Sequence, residues 1–488
     1  MLISDYFAET LVKEGIDRVY LYPGGTIAPL VTACLKKKIQ IEIFKNEQGA
    51  AYAALAHARL TGMPQVVMVT SGPGVTNTIS PIADAFYDST PLIVVTGQVG
   101  TNDLLSRTSV RQRGFQEVPT TKLTECISKR ATCLINLELA LKEIPLAFKI
   151  SKEGRFGPVI LDFPMNIQRL DCEIKKVEFP PAKIVSESKK IESDIKKIIR
   201  LGCNSQKPVI LLGQGVINSG IYDEINILKN LFDAVVVTSF LGISSFDTND
   251  NSYAGYIGHT GHLSANQAVH ECDFLLVLGS RLDVRQTGTL VESFVPKGIV
   301  VSVNNDLTEL DNPRVDIDWK INLDLKKFCN LVKQNANIQT SFSDKNWKKK
   351  IYHLKNSQIE DMPSNKSSYI QPKEVMKKLF NIIILQKTVV VTGVGCHQHW
   401  AARHLPFKPK TNLFLSSGGH GTMGYDLPSA IGAAMTLNNF RVFCIVGDGS
   451  LLMNIQELAS LSERNLDVKI ILMNNNRLGI VSQFQKIT

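Results

Sequence analysis

The chain has 488 residues, of which 44% are hydrophobic and 20% are charged, and its formal net charge is +9. This composition is that of an ordinary globular protein, and the length is too great for a single hydrophobic core, so two to four domains are expected. The 54 basic and 45 acidic residues are spread along the chain, and no basic stretch is interleaved with aromatic residues, so a nucleic-acid partner is not expected.

The sequence also argues against a membrane protein and against a secreted one. No uncharged apolar run approaches the length of a membrane span, and the N-terminal segment carries Asp5 and Glu9, unlike a signal peptide. The cysteines are scattered and form no CxxC pair, which favours a reducing compartment. We therefore expect a cytoplasmic protein without a membrane partner.

Residues 1–175 alternate between helix-like and strand-like segments, which is typical of a parallel sheet wrapped by helices. Strands are predicted at 19–22, 66–70, 92–96 and 159–163. A further strand at 41–44 leads into a helix rich in small residues, and Glu47 lies at this junction. Glu47 is either a functional carboxyl or an ordinary first-turn acid that the helix dipole favours.

A second α/β section, residues 190–340, follows a polar stretch at 176–195 that is interpreted as a linker. Its strands are predicted at 209–212, 234–237, 274–278 and 299–303. Another polar stretch, residues 338–372, predicts a second crossing between domains. A dinucleotide-dependent dehydrogenase is not expected, because residues 213–215 (Gly-Gln-Gly) lack the third glycine of the G-x-G-x-x-G motif.

The third section, residues 370–488, carries the most informative stretch of the chain. One apolar strand, 442–446, ends shortly before Asp448, and another, 468–473, ends shortly before Asn475. The C-terminal ends of parallel strands meet at one edge of a sheet, where open α/β sheets bind ligands. A further strand is predicted at 388–392.

The residue types at this edge favour a metal and an anion. Aspartate and asparagine oxygens suit Mg²⁺, which usually shares its site with phosphate groups of a substrate or cofactor. Gly447 and Gly449 allow the backbone to approach closely and to offer its N–H groups to an anion. The stretch therefore predicts a clamp for magnesium and a diphosphate.

The GDGS motif at 447–450, with 26 residues between Asp448 and Asn475, resembles the signature of thiamine-diphosphate-dependent enzymes. Residues 44–62 (FKNEQGAAYAALAHARLTG) are similar to the HEQGA stretch of that family. Within the family, the whole chain is most similar to the large subunits of acetolactate synthase.

The resemblance implies an α/β fold of three doubly wound parallel-sheet domains. These are a pyrimidine-binding domain at 1–175, a central domain at 190–340 and a diphosphate-binding domain at 370–488. Family members continue well past the segment that matches residues 480–485, so the third domain is expected to be shortened at its C-terminus and incomplete.

The resemblance also implies which side chains carry the chemistry. In the family, a carboxyl group hydrogen-bonds the aminopyrimidine of thiamine diphosphate, and the cofactor serves as an electron sink after decarboxylation. Glu47 matches that carboxyl, Gln116 matches the glutamine that faces the reacting carbon, and Met423 matches the apolar wedge that bends the cofactor. By position alone, Met423 could equally be an ordinary core residue.

Further positions match the cofactor contacts of the family. The implied cofactor-binding residues are Tyr22, Pro23, Gly74, Asn77, Gly395, His397, Gly421, Met423, Gly447, Asp448, Gly449, Ser450 and Asn475. The implied magnesium ligands are Asp448, Asn475 and the backbone carbonyl of Arg477. Cys396 stands where the family usually has a glutamine.

Acetolactate synthases also carry FAD, which takes no redox part in the reaction. The positions that match its contacts are Arg155, Gly213, Gly258, Arg281 and Asp283. Other positions on the flavin side differ, since Val284 replaces an aspartate and residues 303–305 (Val-Asn-Asn) replace an acidic stretch. The sequence therefore leaves open whether FAD is bound or whether the central domain is a purely structural layer.

These matches predict a carboligase dependent on thiamine diphosphate and Mg²⁺. It would decarboxylate a 2-oxo acid, by default pyruvate, and transfer the two-carbon unit to a carbonyl acceptor. Because family active sites combine the first domain of one subunit with the third domain of another, a homodimer or homotetramer is expected. Two alternatives stay open, namely simple decarboxylation of a 2-oxo acid and a non-catalytic cofactor-binding protein on the same fold.

Overall fold

The computed structural model of the protein describes residues 1–104, 110–172, 189–336, 343–360 and 370–487. These residues form three parallel β-sheets of six, six and four strands, each flanked by helices. The predicted α/β architecture with three parallel-sheet domains is therefore confirmed.

The first sheet has the strand order β2-β1-β3-β4-β6-β5, and all of its strand pairs are parallel. Its strands are β1 Arg18–Leu21, β2 Gln40–Ile43, β3 Gln65–Val69, β4 Leu92–Gln98, β5 Arg130–Cys133 and β6 Pro158–Pro164. Its helices are α1 Ile3–Lys13, α2 Ala28–Lys36, α3 Glu47–Thr61, α4 Pro73–Asn77, α5 Ile79–Tyr87, α6 Thr120–Thr124, α7 Leu137–Lys152 and α8 Met165–Gln168. The central strands β3, β4 and β6 are buried along their whole length, as expected of a sheet covered on both faces.

The second sheet has the strand order β12-β11-β10-β7-β8-β9. Its strands are β7 Pro208–Leu212, β8 Val235–Thr238, β9 Tyr253–Tyr256, β10 Phe274–Leu278, β11 Ile299–Asn304 and β12 Trp319–Asn322. The helices of this section are α9 Lys189–Asn204, α10 Gln214–Ser219, α11 Tyr222–Phe232, α12 Leu263–Glu271, α13 Val284–Thr287, α14 Leu307–Asp311, α15 Leu325–Asn335 and α16 Lys345–Glu360. The chain grows outward from β7 first in one direction and then in the other, so a topological switch point lies between β7 and β10.

Two polar stretches that the sequence analysis treated as connections are partly helical. The predicted linker at 176–195 is wrong from residue 189 onward, because α9 begins there, and Ile191 and Ile195 pack against the core of the second sheet. The helix forms because its apolar residues recur at helical spacing among the charged ones. Residues 176–188 lie outside the described part of the chain.

The second predicted crossing, at 338–372, also contains a helix. In α16, Trp347 and Ile351 are buried in the core between the second sheet and its helices. The indole N–H of Trp347 donates a hydrogen bond to Glu271 at 3.0 Å, which anchors this helix to α12. The exposed residues of this helix include Lys345, Asn346, Lys349 and Lys350, so composition alone was misleading.

The third sheet has the strand order β14-β13-β15-β16. Its strands are β13 Thr388–Thr392, β14 Asn412–Ser416, β15 Arg441–Gly447 and β16 Val468–Met473. The helices of this section are α17 Pro372–Ile383, α18 Cys396–His404, α19 Asp426–Thr436, α20 Asp448–Met453, α21 Glu457–Glu463 and α22 Gly479–Ile487. The predicted strands at 388–392 and 468–473 are reproduced to the residue, while β14 was not predicted.

The described residues divide into two compact units. The first unit takes those within Met1–Pro181, Val389–Cys396 and Leu415–Thr488, and the second takes those within Ala182–Thr388 and His397–Phe414. Within the first unit, the alanine-rich α3 packs closely on α19, and a Cβ added to Gly432 would lie only 2.3 Å from the backbone oxygen of Ala53. Each helix in the described ranges is too short or too polar to cross a membrane.

Candidate functional site

The carboxyl group of Glu47 is buried at the first turn of α3. Asn46 caps this helix, because its side chain accepts a hydrogen bond from the backbone N–H of Gln48 at 2.8 Å. Glu47 is only 6% exposed, and its Oε2 accepts a hydrogen bond from Asn77 Nδ2 at 2.9 Å. The residue is therefore a first-turn acid and also a buried carboxyl that one amide holds in a fixed orientation.

The turn that follows β3 lies against Glu47 and Gln116. A Cβ at Gly74 would lie 3.6 Å from Glu47 Oε1, and a Cβ at Gly72 would lie 2.8 Å from the backbone oxygen of Gln116. Gln116 has a positive φ of 61°, which residues with side chains seldom adopt and which is often found at functional sites. The structure thus brings Gly74 next to Glu47, and the same turn contacts Gln116.

Tyr22 and Pro23 follow β1, which is the neighbour of β3 in the first sheet. A Cβ at Gly24 would lie 2.3 Å from the Cβ of Thr70, so the turn after β1 packs directly on the end of β3. Tyr22 is 40% exposed. The two predicted residues therefore lie on the same sheet edge as the Gly74 turn.

Asp448 and Asn475 follow neighbouring strands of the third sheet. The strands β15 and β16 are parallel, with Gly447 opposite Met473, so the chain leaves both strands at one edge, as predicted. Asp448 is half-buried, and within the described part of the chain its carboxylate makes no hydrogen bond or ion pair. Asn475 is exposed, and its Oδ1 accepts a hydrogen bond from the backbone N–H of Arg477 at 3.1 Å.

The described ranges contain no group of three acidic, histidine or cysteine side chains that could hold a metal ion. A metal at this edge would therefore depend on one carboxylate together with amide and backbone oxygens. Such a set suits Mg²⁺, which keeps water and phosphate oxygens among its ligands, and it does not suit Zn²⁺.

The loop between β14 and α19 meets the start of α20. The Cε atom of Met423 would lie 3.4 Å from a Cβ on Gly449, so the predicted wedge and the GDGS motif are in contact. The hydroxyl of Ser450 accepts a hydrogen bond from the backbone N–H of Gly424 at 2.9 Å and donates one to Asp426 Oδ2 at 2.5 Å. The hydroxyl of Ser450 thus joins the two segments, while its backbone N–H lies in the first turn of α20.

Asp426 is a buried carboxyl that the sequence analysis missed. Burial raises its pKa to about 6, and the hydrogen bond from Ser450 lowers the pKa by a smaller amount. A Cβ on Gly393 would lie 2.1 Å from Asp426 Oδ2, so only glycine fits at the end of β13. Asp426 also looks like an ordinary first-turn acid of α19, and no local sequence signal distinguishes it.

The third section also supplies residues that hold the start of α3, and these were missed as well. Glu457, which is fully buried, accepts hydrogen bonds from the backbone N–H of Lys45 at 3.2 and 3.3 Å. Asn454 donates a hydrogen bond from Nδ2 to Oε1 of Gln48 at 3.0 Å. Both partners flank Glu47, and contacts between residues some 400 positions apart leave no trace in a local sequence pattern.

The remaining predicted cofactor residues lie near this edge or at the helix that follows β13. Gly421 has a φ of 75° and belongs to the loop before α19. Cys396 Sγ and Asn475 Nδ2 lie 3.0 and 3.1 Å from the position of a Cβ on Gly479. Gly395 immediately precedes α18, and His397 is buried in its first turn.

Four of the five predicted flavin positions lie in the second unit, at the C-terminal edge of the second sheet. Gly213 follows β7 and Arg281 follows β10, on either side of the topological switch point, and Gly258 follows β9. Arg281 forms an ion pair with Asp283, with 3.1 Å between Nη2 and Oδ2. Arg155 belongs to the first unit, where its Nε donates a hydrogen bond to Ser89 Oγ at 2.8 Å.

Comparison with known proteins relates all three sections of the chain to one class of enzyme. Three family models of thiamine pyrophosphate enzymes match the chain. They are the N-terminal TPP binding domain at residues 1–123, the central domain at 195–331 and the C-terminal TPP binding domain at 393–488. Thiamine pyrophosphate is another name for thiamine diphosphate.

Acetolactate synthases match almost the whole of this chain, which covers about three quarters of their own length. The chloroplastic acetolactate synthase of Arabidopsis thaliana is 33% identical over 99% of this chain and 71% of its own length. The acetolactate synthase large subunit of Cyanidium caldarium is 34% identical over 98% of this chain and 82% of its own. Acetolactate synthase 1 of Oryza sativa is 32% identical over 99% and 74%.

The chain belongs to the acetolactate synthase family of thiamine pyrophosphate enzymes. The family resemblance that the GDGS motif and the Glu47 stretch predicted is thereby confirmed. As in the sequence analysis, the first and third sections of this acetolactate synthase-family chain match the two cofactor-binding domains, and the second section matches the central domain.

Proposed function

We propose that the protein is a carboligase that depends on thiamine diphosphate and Mg²⁺. It decarboxylates a 2-oxo acid, by family default pyruvate, and transfers the two-carbon unit to a carbonyl acceptor. The observation that carries the proposal is the common edge of β15 and β16, where Asp448 and Asn475 emerge side by side from a domain that matches TPP binding domains.

The proposed magnesium ligands are Asp448, Asn475 and the backbone carbonyl of Arg477. The carboxylate of Asp448 has no partner among the described residues, so it is available to a cation. The amide oxygen of Asn475 accepts one backbone hydrogen bond and keeps a second lone pair for a metal. Oxygen donors of this kind fit Mg²⁺ bound together with a diphosphate.

The diphosphate and the thiazolium ring are proposed to bind between the GDGS motif and the loop before α19. Gly449 has no side chain where Met423 approaches, which fits the role of Met423 as a wedge under the cofactor. The proposed contacts on this side are Gly395, His397, Gly421, Met423, Gly447, Gly449 and Ser450, and those on the pyrimidine side are Tyr22, Pro23, Gly74 and Asn77.

Glu47 is proposed to hold a proton against the aminopyrimidine ring. Asn77 occupies its Oε2, so Oε1 is the oxygen left for the ring, and Gly74 leaves space in front of it. When bound, thiamine diphosphate supplies the carbanion-stabilising chemistry that decarboxylation of a 2-oxo acid needs. Gln116, held against the same turn with a positive φ, is proposed to face the reacting carbon.

A flavin is a further proposal for the second unit. The switch point between β7 and β10 is the usual place for a nucleotide in such a sheet, and Gly213 and Arg281 flank it. The proposed contacts with FAD are Arg155, Gly213, Gly258, Arg281 and Asp283. An absorption spectrum of the purified protein tests this part separately, because bound flavin absorbs visible light and the polypeptide does not.

We further propose domains at 1–175, 190–340 and 370–488 and a homodimer or homotetramer, since family active sites draw on two subunits. The cysteines of the protein are free thiols, which suits a reducing cytoplasm.

Product analysis with pyruvate as the only substrate tests the proposal. Acetolactate and carbon dioxide are expected, and their formation should require both thiamine diphosphate and Mg²⁺. Acetaldehyde as the sole organic product would indicate that the protein is a simple decarboxylase and not a carboligase. Cofactor binding without consumption of pyruvate or of any other 2-oxo acid would contradict an enzymatic role.

A further inference from the structure

The loop at residues 416–424, called here the Met423 loop, is held mainly by acidic side chains of the first sheet section. Asp88, which follows α5, accepts hydrogen bonds from the backbone N–H of Gly418 at 2.9 Å and of Gly419 at 2.7 Å. Both oxygens of this carboxylate are therefore used to fix the first half of the loop.

A buried arginine completes this contact. Arg59, near the end of α3, forms an ion pair with Asp88, with 3.1 Å between Nη2 and Oδ2, and its Nη1 donates a hydrogen bond to the backbone oxygen of Ser416 at 2.6 Å. The side chains of Arg59 and Asp88 are 6% and 1% exposed. Charge-assisted hydrogen bonds in such a dry setting are stronger than those between neutral groups.

The hydroxyl group of Ser417 holds two residues in the second half of the loop. Ser417 Oγ donates a hydrogen bond to Asp84 Oδ1 at 2.6 Å, and it accepts hydrogen bonds from the backbone N–H of Gly421 and of Thr422, both at 2.9 Å. The residue that follows Thr422 is Met423. Ser417 thus connects the backbone next to Met423 with Asp84.

The two acids of the first sheet section have different surroundings. Burial raises the pKa of Asp84 far above its usual range, and the negative charge of the neighbouring Asp88 raises it further. Asp88 has Arg59 and two backbone N–H groups as partners. The pair therefore combines one carboxylate held by an ion pair with one carboxyl whose pKa is raised by burial.

We propose that Arg59, Asp84 and Asp88 are positioning residues that hold the Met423 loop in the shape required for cofactor binding. The proposal deepens the proposed function and rests on it, because Met423 is taken as the residue beneath the cofactor. The three residues contact the loop directly. Asp84 and Asp88 lie outside the motifs described above, and Arg59 lies at the far end of the 44–62 stretch that begins near Glu47.

A matched control is available in the same unit. Glu143 forms a bidentate ion pair with Arg130, with distances of 2.6 and 2.7 Å, and its side chain is 2% exposed. This pair joins β5 and α7 in the first sheet section and makes no contact with the Met423 loop. Glu143→Gln and Asp88→Asn therefore remove the same kind of charge, one away from the loop and one at its anchor.

The experiment compares the wild type with Asp88→Asn, Ser417→Ala and Glu143→Gln. Calorimetric titration with thiamine diphosphate and Mg²⁺ gives Kd, and hydrogen exchange of the cofactor-free protein reports on the amides of residues 418–422. We expect Asp88→Asn and Ser417→Ala to raise Kd about tenfold or more and to speed exchange in the loop. Glu143→Gln should lower the melting temperature but leave Kd and loop exchange unchanged.

Equal Kd values and equal loop exchange in all four proteins would overturn the proposal. If Asp88→Asn does not fold, Ser417→Ala decides, because it removes only one hydroxyl. A wild type that shows no affinity for thiamine diphosphate would contradict the proposed function. The exchange of the loop amides would still decide whether these residues hold the loop, so the two failures can be told apart.

Discussion

At the scale of single residues, the candidate site depends on how neighbouring atoms restrict each functional group. Glu47 has one carboxylate oxygen bound to Asn77 and the other next to Gly74, which has no side chain. Asp448 has no partner in the described part of the chain, whereas Asp88 and Asp426 are fully engaged. These carboxylates therefore differ in the groups that they can bind, and the difference is visible only in their contacts.

Replacing Glu47 with glutamine tests the proposed proton-holding role. The amide keeps the size of the side chain and its contact with Asn77, so the Kd for thiamine diphosphate should change little. Turnover of pyruvate should fall roughly 100-fold or more, because the amide cannot hold and return a proton. Steady-state kinetics and calorimetry on the same preparation measure both quantities, with Glu143→Gln as the control for loss of a buried carboxyl. Unchanged turnover in Glu47→Gln would contradict the role.

At the scale of secondary structure elements, another buried carboxyl group, that of Asp162, links two strands of the first sheet. Asp162 on β6 accepts hydrogen bonds from Thr96 at 2.7 Å and from Gln98 at 3.0 Å, both on the neighbouring strand β4. Burial nevertheless raises the pKa of Asp162 to about 6. The Thr96-Gly97-Gln98 segment is thus fixed by an acid whose charged form is disfavoured by burial.

The stability of the protein should depend on pH through Asp162. Because the folded-state pKa lies above that of the unfolded chain, the folded state binds the extra proton, and its contribution to stability is lost as pH rises from about 4 to about 6. The loss is roughly 3 kcal/mol if Asp162 acts alone. Denaturant titrations between pH 4 and 7 should show a smaller decline for Asp162→Asn than for the wild type. Parallel curves would rule out this contribution.

The strands and the motifs at their ends could be predicted because they depend on local patterns. Apolar runs that end in glycine or serine located β3, β4, β10 and β13, and the GDGS motif located the edge beside β16. The helices α9 and α16 could not be separated from linkers by composition, because their charged residues outnumber the apolar ones that pack inward.

The part of the site that could not be predicted consists of contacts between distant segments. Asp84, Asp88 and Asp426 each lie in or next to a helix, where an acid is unremarkable in sequence. Their importance arises from partners such as Ser417 and Ser450, which only the folded chain brings to them. Burial and hydrogen-bond partners are properties of the fold, and no spacing rule encodes them.

At the scale of the whole molecule, most of the two sections that match the TPP binding domains belongs to one compact unit, which includes 1–123, 393–396 and 415–487. Within that unit, α3 packs on α19, and the third section caps the start of α3 through Asn454 and Glu457. The helix that carries Glu47 is therefore fixed by residues of the same chain, whichever subunit provides the rest of the site.

Calorimetric titration of the purified protein with thiamine diphosphate, with and without Mg²⁺, tests the central claim most directly. The account predicts binding with Mg²⁺ present and a large loss of affinity when the metal is chelated, because Asp448 alone would repel the diphosphate. In Asp448→Asn, the dependence on Mg²⁺ should be weaker. Absence of binding under every ionic condition, or equal affinity with and without a divalent cation, would contradict the account.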